Sequence, residues 1–315
     1  MEADLIQKLI QNSSRTLTQL NICPSYDYTY TVDDLPLPEF DLTLYKFDAV
    51  KSLDLSGIYI DGFIVENNLA KVLTFVTQLM TVFDKLEDHT VHESLIKLLV
   101  EIVDVIPRTM VNLTISGGIF HDELQDLTQL SNPIRNLSFK EVVVHKDANP
   151  DIIPQLYNLL SKHAQTLEHL TLRFPTWANY NDGLKLPALL NLRRFYLTIP
   201  PLKYNPNFYI SFPPETPNLC TVFPLLRKFC LIFDVGWESD WASCFESLFT
   251  NGVPVCPSVR HFEIRDACWK RPCVIVNNGY ELDVKYARIL KIFPNANNKF
   301  VTDLREYLEK KGTYL

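Results

Sequence analysis

The chain has 315 residues, with 30 Lys and Arg against 37 Asp and Glu and a net charge of −7. That balance speaks against a general nucleic-acid or membrane surface, and no run of ~18 apolar residues is present to span a bilayer. Apolar residues make up 47% and charged residues 21%, an ordinary globular composition without the long polar tracts of a disordered chain.

Residues 3–12 place Leu5, Leu9 and Ile10 on one side of a short helix, so segment 1–16 is read as the N-terminal helix of a first structural unit. From residue 17 onward one apolar spacing, LxxLxL, recurs. Its copies are Leu17/Leu20/Ile22, Val50/Leu53/Leu55, Met110/Leu113/Ile115, Ile134/Leu137/Phe139, Leu167/Leu170/Leu172, Leu192/Phe195/Leu197, Leu226/Phe229/Leu231, Val259/Phe262/Ile264 and Ala287/Leu290/Ile292. Successive copies start 24 to 34 residues apart except for one gap of 60, which predicts two units there with one degenerate strand. One such strand cannot bury its leucines alone, so the copies must stack and share a core.

Between the copies the apolar period changes from 2 to 3.6, as a strand-then-helix repeat requires. Leu69, Val72, Leu73, Val76, Leu79, Met80, Phe83 and Leu86 predict a helix over 69–86. Thr90 and Glu93 have the spacing of a capping box, which predicts a second helix burying Leu95, Leu98, Leu99, Ile102 and Val105 and stopping at Pro107. Together, 66–106 is a helical insertion or a degenerate repeat. A further helix is predicted over 151–164. Seven prolines between Pro200 and Pro224 make 199–224 an extended connection with no room for a helix. Phe300, Leu304 and Leu308 then mark an otherwise charged capping helix within 299–315.

At these residues the chain resembles the leucine-rich repeat superfamily, in the irregular, helix-containing form of F-box substrate receptors and related ubiquitin-ligase adaptors. The resemblance implies an α/β solenoid of about nine irregular repeats in one domain over 1–315, with a curved parallel sheet on the concave side and helices and loops on the convex side. The family pattern continues with an asparagine or cysteine at the eighth position after the first leucine. Here that position holds Ser25, Ile58, Gly118, Val142, Pro175, Pro200, Asp234 and Ala267, so the solenoid should be uneven. Phe120, Val144, Trp177 and Trp269 match the next apolar position and are read as core. No F-box is found, because only sixteen residues precede Leu17 and no amphipathic helix follows LPLPEF at 35–40. Ser94-Leu95 with Leu99 and Val103 is similar to an elongin-binding box but lacks its cysteine, and a buried helix gives the same pattern.

No motif with a catalytic or phosphate-cradling mechanism occurs: GxxxxGK[ST], GxGxxG, HExxH and GxSxG are all missing. His89-x-x-His92 and Cys268/Cys273 have no second ligand pair, so no metal, cofactor or catalytic site is expected. The seven cysteines are read as buried structural thiols of a cytoplasmic or nuclear protein, since residues 2–13 show no secretory signal.

Side chains between the buried leucines must face the other side of the sheet. In the first three copies these are small and nearly neutral, such as Gln19, Asn21, Ser52, Asp54, Asn112 and Thr114. From the fourth copy onward six Lys or Arg, Lys140, Arg173, Arg194, Lys228, Arg265 and, between outward Ile289 and Phe293, Lys291, face one acid, Glu263, the reverse of the whole chain. Lys140, His169, Arg173, Arg194, Tyr196, Lys228, His261 and Arg265 form the expected binding stripe, and Trp237 and Trp241 a secondary loop site. Arginine matches carboxylate or phosphate in bidentate geometry. The expected function is therefore a non-enzymatic protein–protein interaction scaffold and adaptor that recognises an acidic or phosphorylated protein partner, as in ubiquitin-ligase substrate receptors, without a membrane role. The alternative is a structural subunit of a nucleic-acid-linked complex, with the stripe facing nucleic acid. A solvated face neutralised by Asp234, Glu238 and Asp240 would be functionally silent.

Overall fold

The computed structural model describes residues 12–13, 15–22, 42–45, 47–58, 66–119, 121–144, 152–173, 184–199, 209–212, 219–233, 255–266 and 280–310. In chain order the strands are β1 (Gln19–Asn21), β2 (Ser52–Leu55), β3 (Asp88–His92), β4 (Asn112–Ile119), β5 (Asn136–Val144), β6 (His169–Leu172), β7 (Leu184–Lys185), β8 (Arg194–Ile199), β9 (Ile210–Ser211), β10 (Lys228–Phe233) and β11 (His261–Asp266). The helices are α1 (Glu66–Val82), α2 (Ile96–Glu101), α3 (His121–Leu127), α4 (Ile152–Lys162), α5 (Leu219–Val222), α6 (Tyr280–Ile292) and α7 (Lys299–Lys310). Nine strands are hydrogen-bonded in the order β1-β2-β3-β4-β5-β6-β8-β10-β11, and β7 pairs with β9 apart from them. The chain divides into two compact units, Met1–Gly117 with Asp122–Leu137, and Gly118–His121 with Ser138–Leu315.

In the first unit β1 to β4 pair in parallel and in simple register, Ser52 opposite Asp88 and Asp88 opposite Asn112. Every LxxLxL position of the second, third and fourth copies is buried. Leu17, Leu20 and Ile22 of the first copy are only half-buried. β3 fills the 60-residue gap as the degenerate strand that the spacing predicts. His89 takes the place of its leucine, opposite Leu53 and Leu113, which is why no leucine pattern marks it.

The capping box expected at Thr90 and Glu93 is not formed, because Thr90 lies inside β3, where its β-branched side chain is at home. His92 takes that place: its ring accepts from the Ser94 backbone N–H and opens a 3-10 turn, Glu93–Leu95, ahead of α2. The expected helix is also shorter. It ends at Glu101 and a 3-10 turn, Val103–Val105, follows. Leu69 of α1 is 38% exposed while Val72, Val76, Leu79, Met80 and Phe83 are buried, so the apolar stripe is right from its second turn.

In the second unit β6, β8, β10 and β11 pair in parallel. Their buried phenylalanines form a ladder: Phe195 stacks on Phe229 at 5.6 Å, and Phe262 stacks on Phe293 at 4.5 Å and meets Phe300 edge-on at 6.0 Å. Burying each such side chain stabilises by roughly 1.5–3 kcal/mol. At β11 the Phe262 N–H donates to Asn298 Oδ1 at 3.1 Å, and α7 buries Phe300, Val301, Leu304 and Leu308. No ninth strand forms from Ala287/Leu290/Ile292. These residues belong to α6, and with Tyr286, Ile289 and Phe293, all buried, their apolar period is 3.6 rather than 2. The stretch expected to be extended throughout holds one helical turn, α5, between Pro217 and Pro224. Cys220 and Cys256, expected as thiols, are joined in a disulfide with the Cα atoms 5.5 Å apart. The register of successive turns brings them together from 36 residues apart. Cys230 lies buried in β10 and takes no part in this disulfide.

Candidate functional site

Strand register decides which outward side chains of the second unit become neighbours. His169 lies opposite Arg194, Arg194 opposite Lys228, and Lys228 opposite His261, giving one row across four strands. Adjacent strands are ~4.8 Å apart, so these side chains share one electrostatic field. The next row along the strands is Thr171, Tyr196, Cys230 and Glu263. Arg265 lies opposite Ile232 in a third row, and Arg173 follows β6, its backbone N–H donating to the Phe139 carbonyl at 3.0 Å.

Arg194 is exposed, and His169, Arg173, Tyr196, Lys228, His261 and Arg265 are half-buried. Lys140 is exposed on β5. Lys228 Nζ sits 5.4 Å from the centre of the Tyr196 ring, a cation–π arrangement that holds the ammonium on the face. Glu263 receives hydrogen bonds from Arg265 Nη2 at 2.9 Å and from the His261 ring at 3.2 Å. Burial pushes its carboxyl up, but the bonds from Arg265 and His261 outweigh that and hold it below the usual carboxylate range. The same bond raises the Arg265 guanidinium. The imidazole of His169 is lowered by burial and then by Arg194, so near neutral pH it offers a neutral ring beside the cation.

The stripe is shorter than the strand period alone implies. Cys230, Ile232 and Thr198 occupy outward positions yet are buried, which confines the open part of the face to the start of β6, β8, β10 and β11. Lys291, expected among its cations, lies in α6, and Ile289 and Phe293 are core. Trp237, Trp241, Trp177 and Trp269, like Asp234, Glu238, Asp240, Cys268 and Cys273, lie outside the described residues.

No family model matches the chain, and no curated protein matches it. Among solved structures it is similar to the leucine-rich repeat-containing protein LegL7 from Legionella pneumophila, at 13% sequence identity and a TM-score of 0.40, over 90% of this chain and 92% of that one. The mixed α/β architecture with its nine-stranded sheet rests on the strands and their pairing described above.

Three features escape the sequence reading. One is a row of exposed arginines, Arg193, Arg227 and Arg260, each one residue before its strand and so outside the alternating pattern. A second is a side-chain ladder in the first unit, where Asn112 Nδ2 donates to Asp88 Oδ1 and Asn136 Nδ2 to Asn112 Oδ1. The third is a cluster of His92, Glu93 and Ser94 at the end of β3. Both Glu93 Oε2, at 2.7 Å, and Ser94 Oγ, at 3.0 Å, approach the same ring nitrogen, Nδ1. A relay needs acid and hydroxyl on opposite nitrogens, so this cluster lacks the geometry of a nucleophile with its base. Among the described residues no group of three or more His, Cys, Asp or Glu could hold a metal ion, and no helix is long and apolar enough to cross a membrane.

Proposed function

We propose that the chain is a non-enzymatic interaction scaffold, a single leucine-rich-repeat solenoid whose second unit recognises an acidic or phosphorylated protein segment with the outward face of its sheet. The observation that carries this reading is the row His169–Arg194–Lys228–His261, set in register in a chain of net charge −7, with Glu263 the acid among the described outward positions beside it and Glu168 acting on His169 from just before β6. Arg194 and Lys228, adjacent in that row, repel one another, and an anionic partner relieves that repulsion while the Tyr196 ring supplies apolar contact. The resemblance to the repeat regions of ubiquitin-ligase substrate receptors supports a recognition arm.

The test is charge reversal of the two cations that share the row. Arg194→Glu with Lys228→Glu should weaken binding of an acidic peptide, poly-glutamate or its phosphoserine counterpart, by at least about tenfold, with little change in melting temperature because exposed charges contribute little to folding. Undiminished binding refutes the face as the site. Tighter binding to single-stranded RNA, growing with chain length and falling steeply with salt, supports the nucleic-acid reading instead.

A further inference from the structure

A second basic feature lies immediately before the strands of the same unit, one residue ahead of the outward row. Residues immediately before β8, β10 and β11 continue the hydrogen-bond ladder, with Arg227 N donating to the Arg193 carbonyl at 2.9 Å and Arg260 N to the Arg227 carbonyl at 2.8 Å. Three arginines therefore stand on consecutive rungs about 4.8 Å apart, and all three are exposed. Arg193 has a counter-charge, Glu168 Oε2 at 3.6 Å. Among the described residues no carboxylate lies within ion-pair distance of Arg227 or Arg260.

Those two arginines border a surface cleft of about 350 Å³ whose other walls are Pro224, Leu225 and Ser258. That volume suits a small ligand. The walls are of two kinds. Arg227, Arg260 and the Ser258 hydroxyl supply donors, while Pro224 and Leu225 supply apolar surface, and Leu225 is 45% exposed. The Cys220–Cys256 disulfide ties α5, just before Pro224 and Leu225, to the turn carrying Ser258. It fixes the two walls relative to each other before a ligand arrives, which lowers the ordering cost of binding.

We infer that this cleft binds a phosphate monoester on an apolar carrier, with Arg227 and Arg260 clamping the phosphate, Ser258 donating to it, and Pro224 and Leu225 receiving the carrier. The charge count favours phosphate over carboxylate: two guanidinia without a counter-ion among the described residues match a group of charge −1.5 to −2, and planar guanidinium forks fit its oxygens in pairs. The lining of the cleft includes none of the residues of the outward row, and neither proposal depends on the other.

Titration calorimetry with phenyl phosphate, inorganic phosphate and benzoate tests the assignment. Phenyl phosphate should bind best, inorganic phosphate more weakly for want of the apolar contact, and benzoate at least about tenfold more weakly for want of charge. Binding should weaken as pH falls from 7 to 5, through the second phosphate ionisation near 6. Arg227→Gln with Arg260→Gln should weaken phenyl phosphate at least tenfold, whereas Lys185→Gln with Lys299→Gln, which removes the same charge from exposed positions elsewhere in the unit, should leave it unchanged. Phosphotyrosine and adenosine monophosphate, run in parallel, separate an amino-acid carrier from a nucleoside one; binding of either supports the site. Equal affinity for benzoate, equal loss in the two double variants, or no binding of any monoester at millimolar concentration overturns it.

Discussion

Lys228 Nζ lies 5.4 Å from the centre of the Tyr196 ring, one strand away on the outward face. The contact joins a cation of the first row to the aromatic of the second, and it is partly shielded from water because both side chains are half-buried. A double-mutant cycle of Tyr196→Leu and Lys228→Met should return a coupling energy of about 0.5–1 kcal/mol in urea denaturation, as for cation–π pairs at partly exposed sites. A coupling indistinguishable from zero shows that the two residues are merely adjacent.

Leu170 and Thr171 test the assignment of faces. Leu170 is fully buried, opposite Phe195, while Thr171 lies opposite Tyr196 on the outward face. Leu170→Ala should destabilise by ~2–5 kcal/mol and Thr171→Ala by no more than about 0.5 kcal/mol. Equal melting shifts contradict the alternation.

That alternation is the part of the fold most legible in the sequence. Eight of the nine apolar copies lie on the strands or the residues just before them, because a strand buried on one side leaves a two-residue signature that nothing else on the chain imitates for long. The failures have physical causes. Ala287/Leu290/Ile292 fits both a strand and a helix until Tyr286, Ile289 and Phe293 are counted. β3 is hidden because His89 fills a leucine position. At the site, the row His169–Arg194–Lys228–His261 follows from register alone, but the burial of Thr198, Cys230 and Ile232 depends on what packs over the ends of the strands, which no local pattern encodes. The arginines at 193, 227 and 260 precede the strands, where alternation says nothing.

His89 gives stability a pH dependence. Burial pushes its imidazole down to about 4, the Leu53 carbonyl at 3.2 Å opposing only in part. The folded state therefore keeps the ring neutral while the unfolded chain takes up a proton below about 6.5. Unfolded chains bind more protons as pH falls, so stability should drop between about pH 6.5 and 4 and level off below, by on the order of 3 kcal/mol from this residue. His163, pushed down to about 4 by burial and then by Lys162, acts in the same direction. His89→Leu should remove one proton from the slope of stability against pH; an unchanged slope sinks the argument.

Gly117 in β4 has φ of 97°, a conformation that L side chains rarely adopt, and a Cβ there would lie 1.6 Å from Glu93 Oε2. Gly117→Ala should destabilise by roughly 1–3 kcal/mol. Combining it with Glu93→Ala relieves the clash with the carboxylate, whereas the backbone strain and the approach of the added Cβ to His92 Nε2, 2.7 Å away, persist in the pair; urea denaturation of the single and double variants reads the difference.

Glu263 is the residue whose removal should strengthen the proposed face. Its carboxylate receives Arg265 at 2.9 Å and His261 at 3.2 Å, so it neutralises one end of the cationic row and holds both donors inward. Glu263→Gln keeps the shape of the side chain but removes the charge, leaving Arg265 drawn less tightly to that position. Fold stability should fall modestly, by up to about 1 kcal/mol, since such partly exposed pairs contribute little. Association with poly-glutamate should accelerate several-fold at low ionic strength and lose that advantage in 1 M salt, where the screening length is about 3 Å. A variant that binds poly-glutamate no faster than the parent at low salt shows that the field of this face does not steer the anion, and the row then serves solvation alone.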